Sequence, residues 1–404
     1  MTRPTLSTFC LLAGLLIAGP GHCLPPLQLF IDLTAPGGTL RPPAGTYPGP
    51  IVINKPITLD GQGQVTIDGD GQGTVLSVQA DNTTIRGLHL INSGDSHDAM
   101  DAGLLLKANH VRIEQNRIDE VLFGIVVQQG NHNTIRENRI ASLPREPSLR
   151  GEGLRLWYSR DNLIESNQFS QVRDLVLTNS PANRIIGNTL RDSRISMEFI
   201  FSPDNEVRAN QIIGNDTGIV AIYSDRLKIE ENRIEQIRNT GSSALAIKES
   251  SQVVIARNQI LHNAVGLTAN SPTDPENILY LRNNHFTYNT VAMYFYGEKG
   301  GHLIHDNYFE NNLTSVAVSA PISARFNDWR GNHWEGYEGF DQDDDGFGDT
   351  PHDIRLYSDR IWMDRPTTGF FRGSPVMEVI DFIERLAPFS QPELILSDPA
   401  PRTR

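Results

Sequence analysis

Three observations predict an all-β fold, a right-handed parallel β-helix of about 10–12 coils. First, Asn followed two places later by Ile, Leu or Phe recurs at an almost constant spacing, at Asn116, Asn138, Asn167, Asn188, Asn210, Asn232, Asn258, Asn284 and Asn307. Second, the gaps between them are 22, 29, 21, 22, 22, 26, 26 and 23 residues, a period that belongs to stacked repeats. Third, the residues between are short alternating runs, such as Asn162-Leu163-Ile164-Glu165-Ser166-Asn167-Gln168-Phe169 and Gly218-Ile219-Val220-Ala221-Ile222. Each run is too short for a helix and points its apolar side chains to one face. A leucine-rich repeat also spaces asparagines this way. It would need an L-x-x-L-x-L pattern and a helical second half, and neither is present.

The recurring Asn is expected where a turn needs a left-handed residue or a side chain that bonds to backbone. Stacking would align the asparagines into an internal amide ladder. One coil cannot bury its own apolar face, so stability has to come from its neighbours.

The chain divides into residues 1–23, a secretory signal peptide; 24–320, the β-helix; and 321–404, a C-terminal extension. The first segment carries Arg3, an apolar run from Phe9 to Ala18 and a small or turn-forming patch ending at Cys23, which is the pattern of export. Both cysteines, Cys10 and Cys23, lie there. The exported chain therefore has no internal disulfide and no thiolate metal site of its own. No other stretch is long and apolar enough to span a bilayer, so membrane contact is expected only through partners. The formal net charge of −13 makes a poor nucleic-acid binder and suits cations or basic protein partners.

Leu27–Leu90 reads as the first coils, with an atypical terminal repeat as cap. Residues 141–152 lengthen one repeat to 29, a loop projecting from the stack. Enzymes on this scaffold need an acid/base pair with a neighbouring cation along one sheet face, and no column of Asp, Lys and Arg in adjacent coils is evident. Asp95-Ser96-His97-Asp98-Ala99-Met100-Asp101 is open to three readings. Its Asp-x-His-Asp resembles the acidic motif of alginate epimerases, though without an obvious cationic partner. His97, Met100 and Asp98 could instead hold copper, because imidazole and thioether suit that metal. The third reading is a solvated acidic loop. His302 and His305, three apart in a strand, are expected to face opposite sides. Met197 and Met293 share one repeat offset and read as core.

Beyond about Ala320 the repeat fades. A Trp-rich segment, Trp329 to Phe340, leads into Asp341-Gln342-Asp343-Asp344-Asp345-Gly346-Phe347-Gly348-Asp349. Asp at positions 1, 3, 5 and 9 with Gly at 6 copies a calcium loop. The expected ligands are Asp341, Asp343, Asp345, the Phe347 carbonyl and Asp349. Position 12 is His352, so Asp353 would replace the usual bidentate Glu. Ser374 and Pro375 open a helix of about 375–387. Its apolar stripe is Val376, Val379, Ile380, Ile383 and Leu386, read as a cap over the last coil, a docking element, or both. An extended segment, Pro392–Pro399, closes the chain.

These tail motifs carry a resemblance. Trp-Arg-Gly-Asn-His-Trp-Glu-Gly-Tyr-Glu-Gly-Phe-Asp from Trp329 to Asp341, the Asp-rich loop, Arg360-Ile361-Trp362-Met363-Asp364 and Phe370-Phe371-Arg372-Gly373-Ser374-Pro375 occur in an order similar to the NosD family. These are periplasmic maturation proteins of nitrous oxide reductase, built on a β-helix of the carbohydrate-binding and sugar-hydrolase type. The resemblance covers essentially the whole chain. It implies an accessory protein without its own ATPase that works with the ABC transporter NosF/NosY and the copper lipoprotein NosL. Together they assemble the copper–sulfide centre of the reductase NosZ, with this chain in copper handover. It also implies copper as a transient cargo, while the loop motif implies structural calcium. The alternative is a secreted polysaccharide-modifying enzyme of the mannuronan epimerase or lyase type.

Overall fold

The computed structural model describes residues 25–356, 379, 382–383 and 393–403. The expected signal peptide lies outside them, as do Val376, Ile380 and Leu386 of the expected tail helix. The chain winds into a parallel β-solenoid of about thirteen turns, the predicted β-helix. Twelve strands, from Ile51–Ile53 to Thr314–Val318, form one parallel sheet. A 23-stranded sheet holds the remaining strands of each coil as two interleaved series. The coils before Asn116 lack the Asn signature, which is why the spacing undercounts them. The stack also continues past Ala320, since His333–Trp334 pairs in parallel with Tyr308 and Phe309.

Inward positions form one continuous core. Ile125, Leu154 and Leu175 sit in register, as do Met197, Ile219, Leu245, Leu267, Met293 and Val316 beyond a register shift, and all are buried. Both methionines are thus core residues, as their offset predicts.

The asparagines occupy a buried ladder. Asn210 Oδ1 accepts from the Asn188 amide N–H (2.8 Å) and from Asn188 Nδ2 (3.0 Å). Its own Nδ2 donates to the Ile185 carbonyl (2.9 Å) and to Asn232 Oδ1 (3.0 Å). The pattern runs unbroken from Asn116 to Asn307 and on to Asn332. The left-handed backbone falls one residue earlier than expected, on Gln115, Glu137, Ala209, Glu231 and their equivalents. The Asn therefore supplies the side-chain bonds, and its neighbour makes the turn. A second ladder, unforeseen, runs through Asn133, Asn162, Asn183 and Asn205.

Both ends are sealed. A seven-residue helix, Leu27–Leu33, buries Leu27 and Ile31 on the first coil. From it the Gln28 amide pairs with both the N–H and the C=O of Val52, each at 3.0 Å, occupying an edge that would otherwise invite another strand. The sequence predicts an atypical cap at this end without giving its form; the structure makes it a helix. At the other end Glu393–Asp398 pairs antiparallel with His352–Leu356 and buries Ile395 and Leu396. Asp398 terminates the ladder, accepting from the Asn332 N–H (3.1 Å), Asn332 Nδ2 (3.3 Å) and Trp334 Nε1 (2.9 Å). The tail strand thus caps the last coil.

His302 and His305 do diverge. His305 faces outward to Asp328 at 3.0 Å. His302 is fully buried at a position of the second ladder, where its Nδ1 accepts the Leu279 N–H (3.2 Å). Its Nε2 therefore carries the hydrogen and lies 3.6 Å from the Oε2 of buried Glu298. Burial pushes Glu298 up to about 8, with the charges of Glu249 and Asp274 adding to it. Burial pushes His302 down to about 4.

Two outcomes are expected. Asn210→Ala strands the Asn188 and Ile185 backbone groups in the core and should cost about 2–4 kcal/mol in urea denaturation. Arg233→Ala, on the surface, should stay within about 0.5 kcal/mol. For pH, the Glu298 contribution is complete below 4.5 and lost as pH rises through about 8. That of His302 is complete above 6.5 and lost as pH falls toward about 4. Above pH 6.5 only Glu298 of this pair titrates, so Glu298→Gln should lose less melting temperature than wild type between 6.5 and about 8.5. Parallel curves would contradict the assignment.

Candidate functional site

The loop Asp95–Asp101 leaves the solenoid between Thr84–Ile91 and Ala102–Leu106. The Asp101 carboxylate closes it by accepting the Ser96 N–H (2.9 Å). His97 and Asp98 are exposed, whereas half-buried Met100 packs on Ala102, Leu122, Phe123 and Val126. His97 sits edge-on to Phe123 with ring centroids 5.6 Å apart. The loop does have a cation, contrary to the sequence reading. Arg145, from the 141–152 insertion, grips Asp95 through both guanidinium nitrogens at 2.6 and 2.8 Å and holds its carboxyl below the usual range. The insertion is itself pinned where Arg150 donates to the carbonyls of Arg145 and Asp192. Two excursions 50 residues apart in sequence are thus tied together.

A charge network in adjacent coils also departs from the sequence reading. Glu152 and Asp174 are buried at the edge of the twelve-stranded sheet. Arg173 bridges them, Arg194 pairs with Asp174, and Arg155 lies 3.6 Å from Glu152. Half-buried Glu198 lies beside them, its carboxyl raised by burial and by the charge of Asp174. Its neighbours in that register column, Val176 and Val220, are apolar, so the sequence offered no periodic charge signal. Glu152 and Asp174 are enclosed by guanidinium groups, which leaves little for proton transfer to a substrate.

The Asp-rich turn brings Asp341, Asp343 and Asp345 together, with carboxylate oxygens within 4.8 Å of one another. Asp344 and Gly346 take left-handed backbone, φ 62° and 88°. The Asp341 carboxylate accepts from the amides of Asp345 (3.2 Å) and Gly346 (2.8 Å). The Asp343 carboxyl is pushed up, chiefly by the charge of Asp345; a bound cation would relieve that repulsion. The other expected carboxylates, Asp349 and Asp353, do not join this group. Asp349 accepts the Gln342 N–H (2.6 Å), Phe347 donates its N–H to Asp345 (2.8 Å), and Asp353 pairs with Arg355 at 2.9 Å. Among the described residues, no second group of three His, Asp or Glu is close enough to share an ion.

Of the expected docking stripe, Val379 and Ile383 are described as helical, and with Phe382 they are exposed by 55%, 44% and 61%. That apolar surface is not covered by the solenoid. No helix among the described residues is long and apolar enough to cross a membrane.

A pocket of about 590 Å³ opens on the last coils, lined by Tyr308, Glu310, Asn311, His333, Glu335, Arg402 and Thr403. Sequence reasoning passed over it because it joins the final coils to the chain's last residues. The outward column His285, Tyr308, His333, visible once the coils are aligned, was the available signal.

Residues 141–339 match the family model described as periplasmic copper-binding protein (NosD). A protein of Pseudomonas aeruginosa named "Probable ABC transporter binding protein NosD" is 26% identical over 379 residues, 85% of this chain and 83% of that one. Its namesake from Stutzerimonas stutzeri is 25% identical over 391 residues, 93% and 89% of the two chains. Among solved structures, a family 28 exopolygalacturonase of Yersinia enterocolitica aligns with a TM-score of 0.58 at 11% identity, over 72% of this chain and 74% of that one. The A-module of a mannuronan C-5 epimerase of Azotobacter vinelandii aligns at 0.44 and 17%, over 72% and 90%. The exopolygalacturonase likeness is one of fold. The central coils thus carry a NosD-type domain, and two NosD proteins align along most of the chain's length.

Proposed function

We propose that this chain is a periplasmic accessory protein that hands on copper for assembly of the copper–sulfide centre of nitrous oxide reductase, NosZ. It would work with the ABC transporter NosF/NosY and the copper lipoprotein NosL, which supply the ATP-driven step and the metal. The observation that carries this reading is the NosD family match. The enclosed, guanidinium-paired state of Glu152 and Asp174 supports it further, because a hydrolase or epimerase needs an accessible acid and base. The exposed Val379, Phe382 and Ile383 suit docking on a partner. Of the sequence's copper candidates, His97 and Asp98 are accessible, while Met100 is turned into the apolar cluster around Phe123.

The Asp-rich loop is proposed to hold calcium through Asp341, Asp343 and Asp345. Calcium takes about six to eight oxygens, so water and backbone carbonyls, including that of Phe347, would complete the shell. The ion's role would be structural: the same loop binds the last residues of the chain, with Thr403 N–H donating to the Gly346 carbonyl (3.1 Å) and Gly348 N–H to that of Pro401 (2.8 Å).

The enzyme reading keeps one favouring observation, the juxtaposition of Glu198 with Arg173 and Arg194. It would be supported by unsaturated ends appearing on polymannuronate or polygalacturonate, and by their loss in Glu198→Gln.

Two experiments test the main reading. The mature chain should co-purify with detergent-solubilised NosF–NosY and change its ATPase rate, further so with NosL. The double variant Val379→Asp/Ile383→Asp should weaken that association without moving the melting temperature. Absence of association with calcium present would sink the proposal. For the loop, calcium should raise the melting temperature of wild type and not that of Asp343→Ala/Asp345→Ala; equal shifts would remove the calcium assignment.

A further inference from the structure

We propose that the pocket on the last coils is a transient copper site in which His333 and Glu310 are the protein's donors and a partner completes the coordination. The inference rests on the copper-handover reading above and adds the residues that would perform it. Strand register places His285, Tyr308 and His333 in one outward column, and Thr287 and Glu310 in the next. The His285 and Tyr308 rings stack in parallel at 4.4 Å, and Tyr308 meets His333 at 5.5 Å. This packing orients the His333 imidazole, as supporting groups do around metal ligands.

His333 Nε2 lies 3.5 Å from Glu310 Oε1, too far for a good hydrogen bond. A first-row divalent ion holds N and O donors about 2.0–2.2 Å away. Two such donors at the observed 3.5 Å subtend roughly 105–120° at the ion, a trigonal opening with other positions free. Imidazole suits copper, and among first-row divalent ions copper binds such sites most tightly. Glu335 lines the same pocket and adds negative charge. The guanidinium that lines it, Arg402, is paired with Asp306 at 3.0 Å and lies over the Phe347 ring. Glu335 does not close with His333 and Glu310 into a three-ligand group. An incomplete set binds loosely enough to release its metal, as a handover site must. His302, buried within these coils, cannot serve, because its Nε2 carries the hydrogen and is shielded.

The test uses the full mature chain with Cu²⁺ as the probe, read by electron paramagnetic resonance and by titration. Wild type should give one signal with nitrogen coupling. His333→Ala should lose that coupling and bind about tenfold or more weakly, and Glu310→Gln should weaken binding while keeping it. His97→Ala should behave as wild type. Thermal melts of each variant exclude misfolding. A nitrogen-coupled signal that survives His333→Ala, or that disappears in His97→Ala, overturns the proposal. So does a wild-type chain that binds no Cu²⁺. Association of His333→Ala with NosF–NosY is measured in parallel. Its retention leaves the accessory reading standing whatever the copper result, and loss of association in wild type sinks that reading independently.

Discussion

From Asn116 to Asn307, each coil of this molecule depends on an amide it does not own. The Asn side chain of one coil satisfies the backbone and side chain of the coil before it, and draws its own acceptor from the coil after. Such bonds add little net stability, since the unfolded chain bonds equally well to water. Their effect is on register. Slipping one coil against the next would leave buried amides unmet, at about 1–3 kcal/mol each, and would turn apolar strand positions outward. The apolar core holds the stack together, and the ladder fixes how it stacks.

A stack stabilised only by neighbours has two vulnerable ends. The chain meets each with a single polar side chain placed where the next coil would be: Gln28 on Val52 at the first coil, Asp398 on Asn332 and Trp334 at the last. Asp398 is buried, its carboxyl raised by that burial and held down by the N–H groups it accepts. The final strand, Glu393–Asp398, is therefore part of the fold although it lies far along the chain from the last coil. The Asp-rich turn fastens the residues that follow it.

What repeats was legible in the sequence, and what occurs once was not. The solenoid, the ladder and the burial of Met197 and Met293 follow from period alone. The second ladder was there to read as well, because Asn133, Asn162, Asn183 and Asn205 each stand five residues before an Asn of the main series. The caps were not, because Gln28 and Asp398 have no counterpart elsewhere in the chain. The Arg145–Asp95 clasp and the network of Glu152, Asp174 and three arginines were hidden for a related reason. Their partners come from different coils at unequal spacings, so only folding brings them together. In the Asp-rich loop the motif located Asp341, Asp343 and Asp345 correctly as a group. Asp353, the expected stand-in for the twelfth ligand, lies in the strand His352–Leu356 and pairs with Arg355.

Repeated inner coils and unique termini suggest a division of labour, with the middle as a rigid spacer and the last coils and tail as the working surface. Hydrogen–deuterium exchange of the full mature chain, with and without detergent-solubilised NosF–NosY, tests this most directly. New protection confined to the last coils and tail, from about His285 onward, is the expected result. Protection spread instead over the outer face around Arg155 and Glu198, with the tail unchanged, would contradict it.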